Sequence, residues 1–188
     1  MSDKKFIYLP LGGAGEIGMN CYIYGFGPKG KESLIIVDLG VSFPDAESTP
    51  GVDLILPDIS WLLEHRDRIK GIFLTHAHED HIGAVAHIWP RLKCKMYATP
   101  FTAALIYEKF KEKKIDISSY LKIVPLNSKI NLGAFEIDFV TLTHSILEPN
   151  GLSITTPLGT ILHTGDWKID PNPLIGGAVD EEKLKAIG

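Results

Sequence analysis

Apolar and polar positions change period along the chain, and the changes mark its elements. FIYLPL (6–11) and NCYIYGFG (20–27) read as two strands joined by the glycine-rich turn GGAGEIG, and PKGKE after the second reads as a hairpin turn. SLIIVDLG (33–40) is a continuous apolar run, the pattern of a buried strand, and it ends at Asp38 and Gly40. A polar, proline-containing loop follows, SFPDAESTPG (42–51). Helical spacing in DLILPDISWLLEHRDRI predicts a helix after Asp58 that turns Ile59, Leu62, Leu63 and Ile69 inward.

GIFLT (71–75) is wholly apolar, as expected of a strand covered on both faces. IGAVAHIWPRL (82–92) predicts a helix up to Pro90, and CKMYAT a strand. PFTAALIYEKFKEKKID (100–116) predicts an amphipathic helix with Pro100 at its start and lysines in its last turns. Strand patterns dominate afterwards: KIVPL, SKINL, a turn at Gly133, then AFEIDFVTLTH (134–144). GLSITTP and GTILHTGD (159–166) form a hairpin pattern, and DEEKLKAIG (180–188) a helix. The order of strands, strand–helix alternation, strands and a helix predicts a layered α/β protein with mixed sheets. No strand follows the last helix to return it to a sheet, so the architecture reads as unfinished.

Composition narrows the class. Of 188 residues 45% are apolar and 22% charged, which is globular rather than disordered. A formal net charge of -4 gives no overall basic field for nucleic acid, although a local basic face or a metal pair can still attract phosphate. Cys21 and Cys94 stand far apart and form no motif, so they are expected as free thiols in a reducing compartment. The N-terminal apolar run is too short for a secretory signal, and no run reaches the ~20 residues of a membrane helix. A cytoplasmic location is expected.

Against that background HAHEDH (76–81) stands out, with three histidines and two acids in six positions. In extended chain, residues two apart share a side, so His76 and His78 can grip one cation, while Asp80 and His81 serve a second beside it. The segment follows a buried strand, where α/β sheets commonly place ligand sites. A purely structural loop capping the next helix would employ one acid and leave the histidines unused. His144 and Asp166 each follow a strand and can reach the same rim; an aspartate there could bridge two cations ~3.5–4 Å apart. Such ligands suit zinc and tolerate manganese.

HAHEDH matches the HxHxDH signature of the metallo-β-lactamase superfamily. More closely, the chain resembles the ribonuclease J family of its β-CASP branch in LPLGGAGEIGMN (9–20), VDLGVSFPD (37–45), PGVDLILPD (50–58), LTHAHEDHIGA (74–84), THSILEPNG (143–151) and LHTGDWKID (162–170). The resemblance implies a four-layered αββα sandwich, with residues 1–188 as the N-terminal portion of the metallo-β-lactamase domain. The β-CASP insertion, the C-terminal half of the fold, a seventh metal ligand and the remaining acid and base residues would lie beyond Gly188. It implies His76, His78 and His144 on one zinc, Asp80 and His81 on another, and Asp166 bridging, with Asp80 helping to activate the metal-bound water. It implies a hydroxide attacking RNA, in 5′-to-3′ exonuclease and endonuclease modes. It also implies self-association of the full-length protein and contact with other RNA-processing proteins. The 188 residues alone are expected to bind metal weakly and to be nearly inactive. The competing expectations are another hydrolase of this fold, acting on a small ester or thioester, and a non-catalytic metal-stabilised unit.

Other positions carry weaker signals. Asp38 could orient a ligand histidine from behind or cap a turn, and Ser145 could contact a phosphate oxygen. GAGEIG matches GxGxxG, but a strand pattern follows it where a dinucleotide site requires a helix, so a turn with positive φ is expected. Glu16 or Asn20 in that loop could support the site. Alternation points His163 away from Asp166 and into packing. KFKEKK (109–114) suits a helix C-terminus, with RNA contact as the alternative reading. Trp61, Trp89 and Trp167 form no stacking platform with basic residues.

Overall fold

The computed structural model describes all residues except Met1, Ser2, Ala46 and Ser48, so the readings of the extreme N-terminus and of loop 42–51 fall partly outside the described residues. Two sheets pack face to face. The first has six strands in chain order: β1 (Lys4–Gly12), β2 (Cys21–Pro28), β3 (Ser33–Val37), β4 (Ile69–Phe73), β5 (Met96–Ala98) and β6 (Leu121–Ile123). β1, β2 and β3 pair antiparallel through the loops 13–20 and 29–32, whereas β3 to β6 pair parallel and are joined by helical crossovers. The second sheet runs β10 (Gly159–His163), β9 (Asn150–Thr156), β8 (Phe135–Thr141), β7 (Lys129–Leu132), all antiparallel.

Alternation along β8 explains the inter-sheet core. Phe135, Ile137 and Phe139 point inward, to Phe73, Ile35 and Val37 of the first sheet and to Leu152 and Ile154 of β9. Each fully buried side chain of this size contributes roughly 1.5–3 kcal/mol. The opposite face of the first sheet packs under α1 (Ser60–Glu64), α3 (Val85–Leu92) and α4 (Pro100–Glu112), with Leu62, Ile88, Trp89, Ile106 and Phe110 in that core. On the far side of the second sheet, Lys183 of α5 (Glu181–Ile187) reaches Asp138 Oδ1 at 3.1 Å and Phe139 O at 3.3 Å. The layers therefore follow the order helix, sheet, sheet, helix. No helix among the described residues is long and apolar enough to cross a membrane.

The helices depart from the sequence expectation where tertiary hydrogen bonds intervene. The helix expected over 82–92 starts earlier, as the single turn α2 (Glu79–Ile82), and resumes as α3. The break lies where Ala84 N–H bonds to Leu39 O instead of extending a helical ladder. Pro90 lies inside α3 rather than ending it, and the helix stops at Lys93, in the left-handed region with φ 51°. α4 ends at Glu112 rather than near 116, because Ile115 N–H folds back to Phe110 O and Lys114 turns left-handed. The helix expected after Asp58 is short, and a 3-10 turn over Arg66–Arg68 continues it. Cys21 is buried, Cys94 partly buried, and both are free.

Candidate metal centre

The HAHEDH segment leaves β4 and is laced to the end of β3 by main-chain bonds. Leu39 N–H donates to His81 O at 2.8 Å, Val41 N–H to Glu79 O at 3.1 Å, and Asn20 N–H to Asp80 O at 3.0 Å. Between them Gly40 lets the two segments touch: a Cβ there would sit 1.5 Å from Asp80 O. His76 and His78 lie on extended chain, and the turn of α2 then carries Asp80 and His81 back toward the same cleft. The second sheet supplies the rest. His144 follows β8 and Asp166 follows β10, and these two tips come together through a pair of bonds between Thr143 and Lys168.

Three imidazoles converge. His78 Nδ1 lies 3.1 Å from His76 Nε2 and 3.2 Å from His144 Nε2. The other nitrogen of His76 is committed: Thr75 Oγ1 donates to Asp38 Oδ2 at 2.8 Å and so accepts from His76 Nδ1 at 3.0 Å, leaving Nε2 bare. His81 is fixed in the same way. Its Nδ1 donates to Asp38 Oδ2 at 2.8 Å, turning Nε2 toward Asp166 Oδ1 at 3.5 Å and Asp80 Oδ2 at 3.6 Å. Asp166 spans the two groups, since its other oxygen lies 3.8 Å from His144 Nε2. Among the described residues two sets can each hold a cation, His76–His78–His144 and His76–His81–Asp166.

Asp38 is fully buried and held at φ 62°, and its carboxylate accepts from Thr75 N–H, Thr75 Oγ1 and His81. It occupies the orienting position behind the histidines rather than a solvent turn. Burial works against its ionisation, yet the neighbouring His81 charge and hydrogen bond hold its pKa below the ordinary value. Burial, reinforced by the charge of His81, pushes His76 down to about 3, and burial together with His78 lowers His144. Both imidazoles are therefore neutral at pH 7, the form in which histidine can bind a metal. Burial also opposes charge on His81, but Asp38, Asp166 and Asp80 outweigh it and raise its pKa to about 10. The His81 hydrogen bond, against some burial, lowers Asp166 to about 2. His81 is therefore protonated at pH 7 in the absence of a cation, and a cation binding at its Nε2 would displace that proton. Neutral His76 and His144 facing the ionised Asp166 across one cleft are donor chemistry that suits a divalent cation.

The remaining candidates separate clearly. Asn20 supports the site: Nδ2 reaches Asp80 Oδ2 at 3.3 Å and His81 Nε2 at 3.1 Å, while its Oδ1 accepts from Tyr22. Glu16 stays local, accepting from Gly13 N–H. The GAGEIG loop has positive φ at Gly13, Gly15 and Gly18 and leads into β2 rather than a helix. Ser145 is exposed in a depression beside His144 and Lys168. His163 packs edge-on against Tyr22 and Tyr24, its Nδ1 3.0 Å from the Tyr24 hydroxyl, and lines a depression shared with His81 and Asp166. Lys109, from the basic run, reaches Glu79 within HAHEDH. Thr75 and Asn150 were not expected in the site; the only local signal they carry is a polar residue at the end of an apolar strand.

The fold has counterparts in known proteins. Residues 14–172 match the model of the metallo-beta-lactamase superfamily, and the chain belongs to that superfamily. Within it, the chain is 48% identical over 186 residues to a ribonuclease J from Sinorhizobium meliloti, covering 99% of the chain and 33% of that protein. It is 43% identical over 180 residues to a ribonuclease J from Helicobacter pylori, covering 95% of the chain and 25% of the relative. The chain thus spans a third or less of the length of these curated relatives. The solved metallo-beta-lactamase fold protein YhfI from Bacillus subtilis superposes with a TM-score of 0.55 over 87% of this chain and 61% of its own, at 18% identity, a likeness of fold alone.

Proposed function

We propose that this chain carries the metal-binding part of a zinc-dependent ribonuclease of the ribonuclease J type, cutting RNA from the 5′ end and internally, in the cytoplasm. In this reading residues 1–188 are the N-terminal portion of a metallo-β-lactamase domain. The observation that carries it is the convergence of His76, His78 and His144 beside His81, Asp80 and Asp166, within a chain 48% identical to a ribonuclease J. His76, His78 and His144 would hold one cation, Asp80 and His81 the other, and Asp166 would lie between them; manganese fits the carboxylates as well as zinc does. Two such cations supply acidification of a water and take up charge developing on phosphoryl oxygens.

The protein's own part is to hold these groups ready. Asp38 and Thr75 fix the ring orientations of His81 and His76, so the donor nitrogens need no rearrangement. Asn20 restrains Asp80, whose carboxylate would help position the attacking water. Ser145 and Lys168, in the depression beside His144, could meet a phosphate of the RNA.

Because the chain covers a third or less of its relatives, RNA turnover is expected of a polypeptide of their length, with only traces from the 188 residues alone. Self-association and other RNA-processing partners belong to that longer form. The test is 5′-end-labelled single-stranded RNA given to the zinc-loaded long form. Release of mononucleotides from the 5′ end, lost in His76→Ala, is the expected result. Hydrolysis of a small ester or thioester with RNA left intact would transfer the site to another hydrolase of the superfamily. Unchanged cellular function of His76→Ala would favour a non-catalytic role.

A further inference from the structure

His144 lies outside regular secondary structure. It follows the end of β8 and opens a stretch, residues 144–149, without helix or strand. On its N-terminal side Thr143 is bonded to Lys168. The C-terminal side is held by two residues outside the ligand set. Asn150, only 1% exposed, donates from its main-chain N–H to Thr75 O at 3.1 Å and from Nδ2 to Glu148 O at 2.6 Å, with Nδ2 also 3.4 Å from Thr75 O. Thr75 is the residue before His76. Glu148, in the left-handed region at φ 52°, extends its carboxylate to the Phe101 N–H at the start of α4, 2.8 Å away. That main-chain donor lies in the first turn of a thirteen-residue helix, where a negative group is also favoured by the helix dipole.

The third tip joins at the same point. Gly165, directly before Asp166, has φ 56°, and a Cβ there would lie 3.2 Å from Asn150 O and 3.4 Å from Thr75 Cβ. Thr75, Asn150 and Gly165 therefore form one node from which the strand tips carrying His76, His144 and Asp166 depart.

We infer that Asn150 and Glu148 are positioning residues: together they clamp the 144–149 loop against β4 and α4, so that His144 completes the histidine triad begun by His76 and His78. This rests on the metal-site reading above. The Asn150 side chain ties the loop's last carbonyls to the strand that delivers His76, and Glu148 ties the loop to a helix on the first sheet. Without them His144 would still be in the sequence but no longer held 3.2 Å from His78. Neither side chain is hydrogen bonded to His81 or Asp166, and it is the main-chain carbonyl of Asn150 that faces Gly165, so the effect should be confined to the triad.

The test is a zinc titration of the 188-residue chain followed by the imidazole 15N resonances of its histidines. In the unmodified chain the His144 and His81 rings should both respond. In Asn150→Ala and in Glu148→Ala, His144 should need at least tenfold more zinc to respond, within the 10–100-fold range of groups that orient ligands, while His81 responds as before. Glu148→Gln, which keeps an oxygen for the Phe101 N–H, should restore the response of His144 to within about threefold, well inside that margin. The proposal is overturned if His144 and His81 respond in the variants as in the unmodified chain, even with the melting temperature lowered, because the residues would then serve stability alone. It is overturned too if both rings weaken in parallel. If His144 fails to respond in the unmodified chain even to zinc in large excess, as a weakly binding site would still require, the metal-site reading itself is wrong, a result distinct from failure of the clamp.

Discussion

Asp38 Oδ2 lies 2.8 Å from His81 Nδ1, and both groups are shut off from solvent behind the cleft. One carboxylate thereby chooses which nitrogen of His81 faces the cleft, and through Thr75 it does the same for His76. Asp38→Asn keeps the size and tolerates the left-handed backbone, but an amide has a single oxygen for three donors. Zinc affinity should fall about 10–100-fold while the fold is retained. Calorimetric titration and far-UV circular dichroism measure the two parts; unchanged zinc affinity would refute the orienting role.

Gly40 should tolerate no side chain. Its substitution by alanine drives a methyl group into the Asp80 carbonyl, and main chain on both sides is already hydrogen bonded. Gly40→Ala should cost about 3 kcal/mol or more, at the upper end of overpacking. Gly177, where a Cβ meets nothing within 4 Å, is the control, and Gly177→Ala should stay within about 0.5 kcal/mol. Urea unfolding of the two variants decides it.

Glu32 and Arg68 form a partly enclosed ion pair in which Arg68 Nε also donates to Glu32 O at 2.9 Å. Burial opposes ionisation of Glu32, but the N–H groups of Glu32 and Gly30 and the Arg68 charge outweigh it and lower its pKa. A depressed carboxyl contributes stability above its unfolded pKa and loses it as pH falls through the lower folded one. Glu32→Gln should therefore cost roughly 1–3 kcal/mol at pH 7. The difference should shrink as pH falls below the ordinary glutamate value of about 4.3 and vanish only below the depressed folded pKa. Unfolding free energies at pH 7 and pH 3 test the sign.

Zinc should stabilise the chain by mass action. A cation at a hundred times its dissociation constant adds about 2.7 kcal/mol if the unfolded state binds none. Melting temperature should rise with zinc, return with EDTA, and rise less in His144→Ala, which removes a triad donor from the second sheet. Differential scanning fluorimetry gives all three readings.

Much of this arrangement could be read from residue order. Alternation in 134–144 marks β8 and its inward phenylalanines, and the apolar run 71–75 marks the strand that precedes the ligands. Local pattern carries such elements because one face must be buried wherever the strand lies. The break between α2 and α3 could not be read that way, since its cause is a carbonyl at Leu39, distant in sequence. The site divides on the same line. HAHEDH declares itself through spacing, and Asp38 through its place at the end of a buried strand. Asn150 and Glu148 remain silent because their role exists only once β9 meets β4 and the loop meets α4.

The donor atoms come from opposite halves of the sandwich: His76, His78 and His81 ride on the first sheet, His144 and Asp166 on the second. A cation bound among them would act as a rivet through both plates. Its departure would require the plates to part slightly, so release should be slow and coupled to breathing of the interface. Hydrogen exchange at Phe73 and Phe139, deep between the plates, would slow on loading even though neither residue touches the cleft.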